Sequence, residues 1–222
     1  MPQSQSQFVR HPEVVVFTGD LVASSKLGPE AIAEAMRTLG AAAEDLIAIW
    51  GTGHPRFTQF RGDGWQCLGP EPKFALRGAL FLRARLAALG RSFDTRISIR
   101  LGEAFLDPRA EDLRGASGPA FEASGRALDR MGHARRFDVA WDGPKADAGL
   151  IQAIFSLADE ISRNWTPAQA RVFAAALGPR QRPSQETLAR EFDITQQVVA
   201  RHLASGGDWA LREALQALEE GA

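Results

Sequence analysis

The sequence predicts an α+β fold, an antiparallel sheet carrying helices, followed by an all-α helix-turn-helix module. Three observations predict it. β-branched and alternating runs that read as strands all lie before Pro144. Two of them, Arg56-Phe57-Thr58-Gln59-Phe60 and Trp65-Gln66-Cys67-Leu68, flank a short Gly-rich break and read as a β-hairpin. After Pro144 only helical patterns remain.

The first strand is Glu13 to Asp20, where Val14-Val15-Val16-Phe17 is a buried-strand run that ends in Gly19-Asp20. Gly28-Pro29-Glu30 opens a helix with Pro in its first turn. Its apolar positions run from Ile32 to Trp50, and Gly40 could interrupt it. Gly51 to Pro55 is a loop, and the hairpin supplies strands two and three. A second helix runs from Glu71 to Leu89, with an apolar stripe of Leu76, Leu80, Leu82, Leu86 and Leu89 and with Arg77, Arg83 and Arg85 around it. Strict alternation over Thr95 to Leu101 puts Ile97, Ile99 and Leu101 on one face of strand four. Gly102 to Leu106 continues that strand beyond a candidate bulge. A third helix runs from Gly118 to about Met131, and Phe137 to Trp141 is a last short strand closed by Asp142-Gly143-Pro144. The order β-α-β-β-α-β-α-β suits a split βαβ, ferredoxin-like arrangement with helices on one face. In it the first and third strands are central antiparallel neighbours, which places Asp20 beside Asp63.

Composition limits the alternatives. The chain has 222 residues, 45% hydrophobic and 24% charged, as in a globular protein. No apolar run reaches the roughly 18 residues of a membrane span, and the tail Met1 to Gln7 is polar with no apolar signal core. A cytoplasmic location is therefore expected, with no membrane partner. The single cysteine, Cys67, excludes an internal disulfide and reads as a small core residue. A net charge of −1 gives no bulk attraction to nucleic acid.

Glycines around Asp63 permit positive φ and leave room for a ligand near the backbone, so Asp63 is expected at a hairpin tip with a free carboxylate. Two adjacent carboxylates repel each other. A divalent cation, Mg2+ or Mn2+, relieves this by taking one or two carboxylates plus phosphate oxygens. Gly19 and Gly62 would leave space, and backbone N–H groups from Leu21 and Val22 to Ser24 could hold the phosphate of a nucleotide. The bland alternative is that each Gly-Asp is an ordinary turn.

Four segments carry a family resemblance: Phe17-Thr18-Gly19-Asp20-Leu21-Val22, Phe60-Arg61-Gly62-Asp63-Gly64-Trp65, Arg96 to Glu103 and Gly118 to Arg126. In order and rough spacing they resemble the class III nucleotidyl cyclase catalytic domain. The chain from about residue 13 to 205 is similar to the SatD family, which joins such a domain to a C-terminal helix-turn-helix. The resemblance implies that Asp20 and Asp63 bind metal, that Arg126 stabilises a transition state as the catalytic arginine, and that Gln59 stands at the purine-reading position. It also implies a homodimer. The chain departs from the cyclase pattern at Glu122, where the family has Asn, and at Gln59, where it has Lys or Glu. The later phosphate-binding Lys has no match. Without the resemblance, Arg126 reads as a solvated helical arginine, and Glu103 as a bulge residue or the partner of an arginine.

Pro183 to Leu203 has the pattern of a helix-turn-helix, with Leu188, Ala189, Ile194, Val199 and Leu203 inward. Thr195, Gln196, Gln197 and Arg201 fall near the exposed start of the second helix and suit contacts to DNA bases and phosphates. From Arg163 onward seven Arg balance seven Asp or Glu, so phosphate attraction is weak. The alternative is a helical bundle that packs on the first domain or mediates dimerisation. The expected organisation is a cyclase-like domain over 10–145, a connecting helix over 146–162 and a helix-turn-helix module over 163–222. The expected function is a cytoplasmic regulator with a metal- and nucleotide-binding domain and a DNA-binding module. The alternatives are an enzyme acting on a nucleoside triphosphate through Asp20, Asp63 and Arg126, and a purely structural interaction protein.

Overall fold

The structure, a computed structural model, describes residues 8–50, 56–140, 148–178 and 181–221. The expected polar tail, the loop at 51–55, the strand end at Trp141, the turn at 142–144 and Pro179 lie outside the described residues.

The fold is α+β. Five strands, β1 (Val9–Leu21), β2 (Phe57–Phe60), β3 (Gly64–Leu68), β4 (Thr95–Leu106) and β5 (Phe137–Ala140), form one sheet in the order β2-β3-β1-β4-β5. Its helices in the first half are α1 (Pro29–Trp50), α2 (Ala75–Ala87) and α3 (Pro119–Arg130). The first four strands are antiparallel to their neighbours, with β1 between β3 and β4. The expected purely antiparallel sheet is corrected at one edge: β5 runs parallel to β4, because α3 crosses over between them.

Helices cover both faces, not one. Val15, Phe17, Trp65, Cys67, Ile97 and Ile99 pack into a core shared with α1 and α2. Val16 and Ala104 pack on the other face against Ala120 and Phe121 of α3. The consecutive apolar run in β1 is therefore buried on both sides. The bulge lies in β1 between His11 and Val14, where Pro12 lacks an N–H for the ladder, rather than in β4. Gly40 does not break α1. A Cβ there would lie 3.5 Å from the Phe57 ring, an ordinary contact, so the helix runs on through this position beneath β2. Cys67 is fully buried, and burial pushes its thiol well above the ordinary range.

The C-terminal part is all helix: α4 (Ala148–Ser162), α5 (Pro167–Leu177), α6 (Gln185–Phe192), α7 (Gln196–Ser205) and α8 (Asp208–Glu220). Thr166 and Gln169 form a capping box at the start of α5. Trp165 stacks on Phe173 at 4.2 Å and donates its indole N–H to the Gly206 carbonyl at 2.8 Å. Phe155, Phe173, Leu188, Val199 and Leu211 belong to the same core cluster as α1, α2 and the sheet.

The arginines of α2 do not simply surround its apolar stripe. Arg77 donates to both carboxylate oxygens of Glu219 in α8, at 2.7 and 2.9 Å. Arg83 is buried and donates to Asp159 of α4 at 2.9 Å, to Ser162 at 3.1 Å and to Asp94 at 3.2 Å. The second oxygen of Asp159 accepts the backbone N–H of Arg136 at 2.8 Å and of Phe137 at 3.2 Å, which fixes the start of β5. Removing one partner of a buried pair strands the other charge without water. Asp159→Ala is expected to destabilise the fold by roughly 3–5 kcal/mol, read as a lower urea midpoint at unchanged slope.

Candidate functional site

Asp20 and Asp63 are brought to adjacent strand ends. Asp20 at the end of β1 lies opposite Gly64 of β3 on one side and Arg96 of β4 on the other. The β2–β3 turn needs left-handed backbone at Arg61 (φ 49°) and Gly62 (φ 82°), and a Cβ on Gly62 would meet nothing within 4 Å. The Asp63 carbonyl accepts the Leu21 N–H at 3.2 Å, which ties the hairpin tip to the end of β1.

Neither carboxylate is free. Arg96 embraces Asp20 with Nε at 2.8 Å from Oδ1 and its terminal nitrogen on Oδ2, and also donates to the Met131 carbonyl at 2.9 Å. This fork-on-carboxylate contact is the strong form of the ion pair. The hydrogen bond that Arg96 donates to Asp20, with the fields of Asp20, Asp129 and Asp63, holds its guanidinium above its ordinary range. Asp63, expected free, accepts the hydroxyl of Ser24. Sequence reasoning missed both partners. Arg96 was legible only as a polar position in an alternating strand, since its place opposite Asp20 depends on the β1–β4 register.

Gly19 is small for a packing reason. A Cβ there would lie 2.4 Å from the Trp65 ring and 2.5 Å from the Arg96 carbonyl, so the space assigned to a ligand is filled by protein. The Leu21 and Val22 N–H groups are spent on Asp63 and on the Asp94 carbonyl, the latter at 2.8 Å. Gln59 donates to the Gly62 carbonyl at 2.5 Å, which stiffens the hairpin turn.

Arg126 is exposed on α3 and pairs one helical turn back with Glu122 at 3.2 Å. It borders an open cleft shared with Thr18, Arg61, Gln66 and Asp129. The polar floor of that cleft is ordered: Gln66 donates to Thr18 at 3.0 Å, and Thr18 and Ser124 share a hydrogen bond of 2.7 Å. Asp20 and Asp63 do not line it. Glu103 pairs with Arg10.

Charges of both signs meet at the aspartate end of the sheet. One guanidinium, Arg96, stands in the field of three carboxylates, Asp20, Asp63 and Asp129, while Arg61 and Arg126 share the neighbouring cleft with Asp129. Among the described residues no three or more His, Cys, Asp or Glu side chains converge to hold a metal by themselves. Asp20 and Asp63 would hold Mg2+ or Mn2+ only with phosphate oxygens and water completing the shell.

In the C-terminal helices, Asp193 takes the left-handed conformation (φ 53°) that the tight turn between α6 and α7 requires, where Gly is common. The Ile194 N–H returns to the Ala189 carbonyl at 3.0 Å. Leu188, Ala189, Val199 and Leu203 are buried. Thr195 caps α7 by accepting the Val198 N–H at 3.3 Å, and Thr195, Gln196, Gln197 and Arg201 are exposed. Among the described residues no helix is long and apolar enough to cross a membrane.

No family model and no curated protein matches the chain. Among solved structures it is similar to the guanylyl cyclase Cya2, with 17% identity and a TM-score of 0.44 over 60% of this chain and 77% of that one. A likeness at that level carries no argument about function, which rests on the residues described above.

Gly19→Ala is expected to destabilise the fold by about 1–3 kcal/mol, because the methyl meets backbone as well as a ring. Asp63→Asn should cost far less, as its amide still accepts from Ser24. Urea denaturation of both variants checks this difference.

Proposed function

We propose that the chain is a cytoplasmic regulator in which a divalent cation with a nucleotide or other phosphate ligand binds at Asp20 and Asp63, and the helix-turn-helix of α6 and α7 binds DNA. In this reading a cyclase-like domain spans about 10–145, a connecting helix 146–162 and the DNA-binding module 163–222. One observation carries it. The backbone next to Asp20 is bonded into the network that reaches the C-terminal helices: Val22 N–H to the Asp94 carbonyl, Asp94 side chain to Arg83 and Arg136, Arg83 to Asp159 of α4. A ligand that moves the end of β1 has a bonded route to the helical half. The order of the four segments, which resembles the class III nucleotidyl cyclase catalytic domain, and the resemblance of the chain from about 13 to 205 to the SatD family support the same reading.

The cation would be held by the two carboxylates and would bring phosphate with it. Asp20 must then release Arg96, or share it, so affinity is modest and ligand binding is conformational. Arg96 would turn from Asp20 to the phosphate, whose oxygens the guanidinium fork also takes in bidentate fashion. Thr195 would position the module on a phosphate, with Gln196, Gln197 and Arg201 at base edges. The balance of seven Arg and seven Asp or Glu from Arg163 onward favours a dimer on DNA, since one copy has little electrostatic grip.

An enzyme reading on a nucleoside triphosphate needs Arg126 to reach the phosphate held by the aspartates. Arg126 lines a cleft that Asp20 and Asp63 do not border and is engaged by Glu122. A second copy of the chain would have to supply it. Calorimetric titration of ATP and GTP with Mn2+ into the full chain tests both readings. Saturable binding that is lost in Asp63→Asn, without turnover, is the expected result. Turnover abolished by Asp63→Asn would replace the regulator with the enzyme, and no binding would make the aspartates turn residues.

A further inference from the structure

The end of β1 opposite Asp20 borders a cavity of about 270 Å³ between β1, the end of β4 and α1. Its walls include the buried apolar side chains Val15, Ile47 and Leu106. Arg56 also lines it. Arg56 is only 7% exposed, and its guanidinium has no hydrogen bond or ion pair among the described residues. Arginine keeps its charge at every physiological pH. Its guanidinium still reaches the cavity, since among the described residues Ser98 Oγ is the only fully enclosed side-chain N or O atom without a partner, so an unpaired cation is left open to an anion entering there. The lining also carries two carboxylates, Glu13, which is exposed, and Glu71, whose one ion pair is a loose contact with Lys73 at 3.8 Å.

This set of groups is ordered by charge: an unpaired cation, two carboxylates and an apolar wall. The cavity is smaller than the roughly 300–1,000 Å³ of pockets for drug-sized ligands, too small for a nucleotide. The two carboxylates disfavour a phosphate dianion. We propose that the cavity binds a small zwitterion with an apolar body, the class of a free aliphatic amino acid. Its carboxylate takes the fork of Arg56, its ammonium faces Glu13 and Glu71, and its side chain lies against Val15, Ile47 and Leu106. The site is separate from the Asp20–Asp63 end, about six strand residues or ~20 Å away along β1.

Titration of the 15N-labelled full chain, followed by amide chemical shifts, tests the proposal. The probes are L-leucine, L-valine and L-methionine, with 4-methylpentanoate (no amine), 3-methylbutylamine (no carboxylate) and inorganic phosphate as comparators. At least one amino acid is expected to shift the amides of Val15 and Gly69 saturably. Each comparator should bind at least about 10-fold more weakly, the loss of one charged contact. Arg56→Met should lose the amino acid, and Glu13→Gln should weaken it while leaving 4-methylpentanoate unchanged. No saturable shift with any of the three amino acids, phosphate binding as tightly as they do, or unchanged binding in Arg56→Met would overturn the proposal. Should Arg56→Met fail to fold, the comparator series and Glu13→Gln on its exposed position decide.

Discussion

The buried guanidinium of Arg83 is the contact on which the two halves of the chain depend. It stands under Asp159 of α4, reaches Asp94 ahead of β4, and lies over the Phe137 ring at 5.1 Å. Asp159 completes the arrangement by accepting two backbone N–H groups at the start of β5. An ion pair this buried is not a strong source of net stability, because desolvation offsets its attraction. Its effect is to specify. In this placement of α4 the one carboxylate of Asp159 satisfies Arg83 and the first amides of β5 together. The apolar cluster that runs from the sheet through α5, α7 and α8 then packs around that fixed point.

The candidate site inherits its geometry from the same region. Asp94 shares its carboxylate with Arg83 and Arg136 and accepts the Val22 N–H at its carbonyl, two residues beyond Asp20. Arg96, two residues further along β4, holds Asp20. The aspartates are thus part of an interlocked set of charges rather than a bare pair awaiting a metal. That is why a regulatory reading is favoured over a catalytic one. A site whose carboxylate is already satisfied responds to a ligand by exchanging partners, and exchange moves backbone. The exposed Arg126–Glu122 pair has no such connection to the aspartates.

Much of the fold was legible because the relevant signals are local. The Val14–Phe17 run, the Arg61-Gly62 turn and the alternation of Ile97, Ile99 and Leu101 each report on their own segment. The topological step that placed Asp20 beside Asp63 needed only the element order. What the sequence hid depends on register and on long-range pairing. Consecutive buried residues in β1 imply cover on both faces, yet α3 could be assigned to the second face only once the Thr18–Ser124 contact was visible. Arg83 and Arg96 look like any charged residue on a helix or strand, because the carboxylates that bury or engage them lie 76 residues away in each case. Gly19 reads as ligand space in one dimension and as the seat of Trp65 in three.

Coupling between the aspartate end and the C-terminal helices is the central claim, and amide hydrogen exchange with and without Mn2+ and GTP tests it most directly. The account predicts altered protection at residues 19–24 together with the start of β5 and α4, where Asp159 holds the Arg136 and Phe137 amides. In Arg83→Met the distant response should vanish while the local one remains. Protection confined to 19–24 and 61–64 in the parent chain would contradict the account, leaving a ligand site with no mechanical link to the helices.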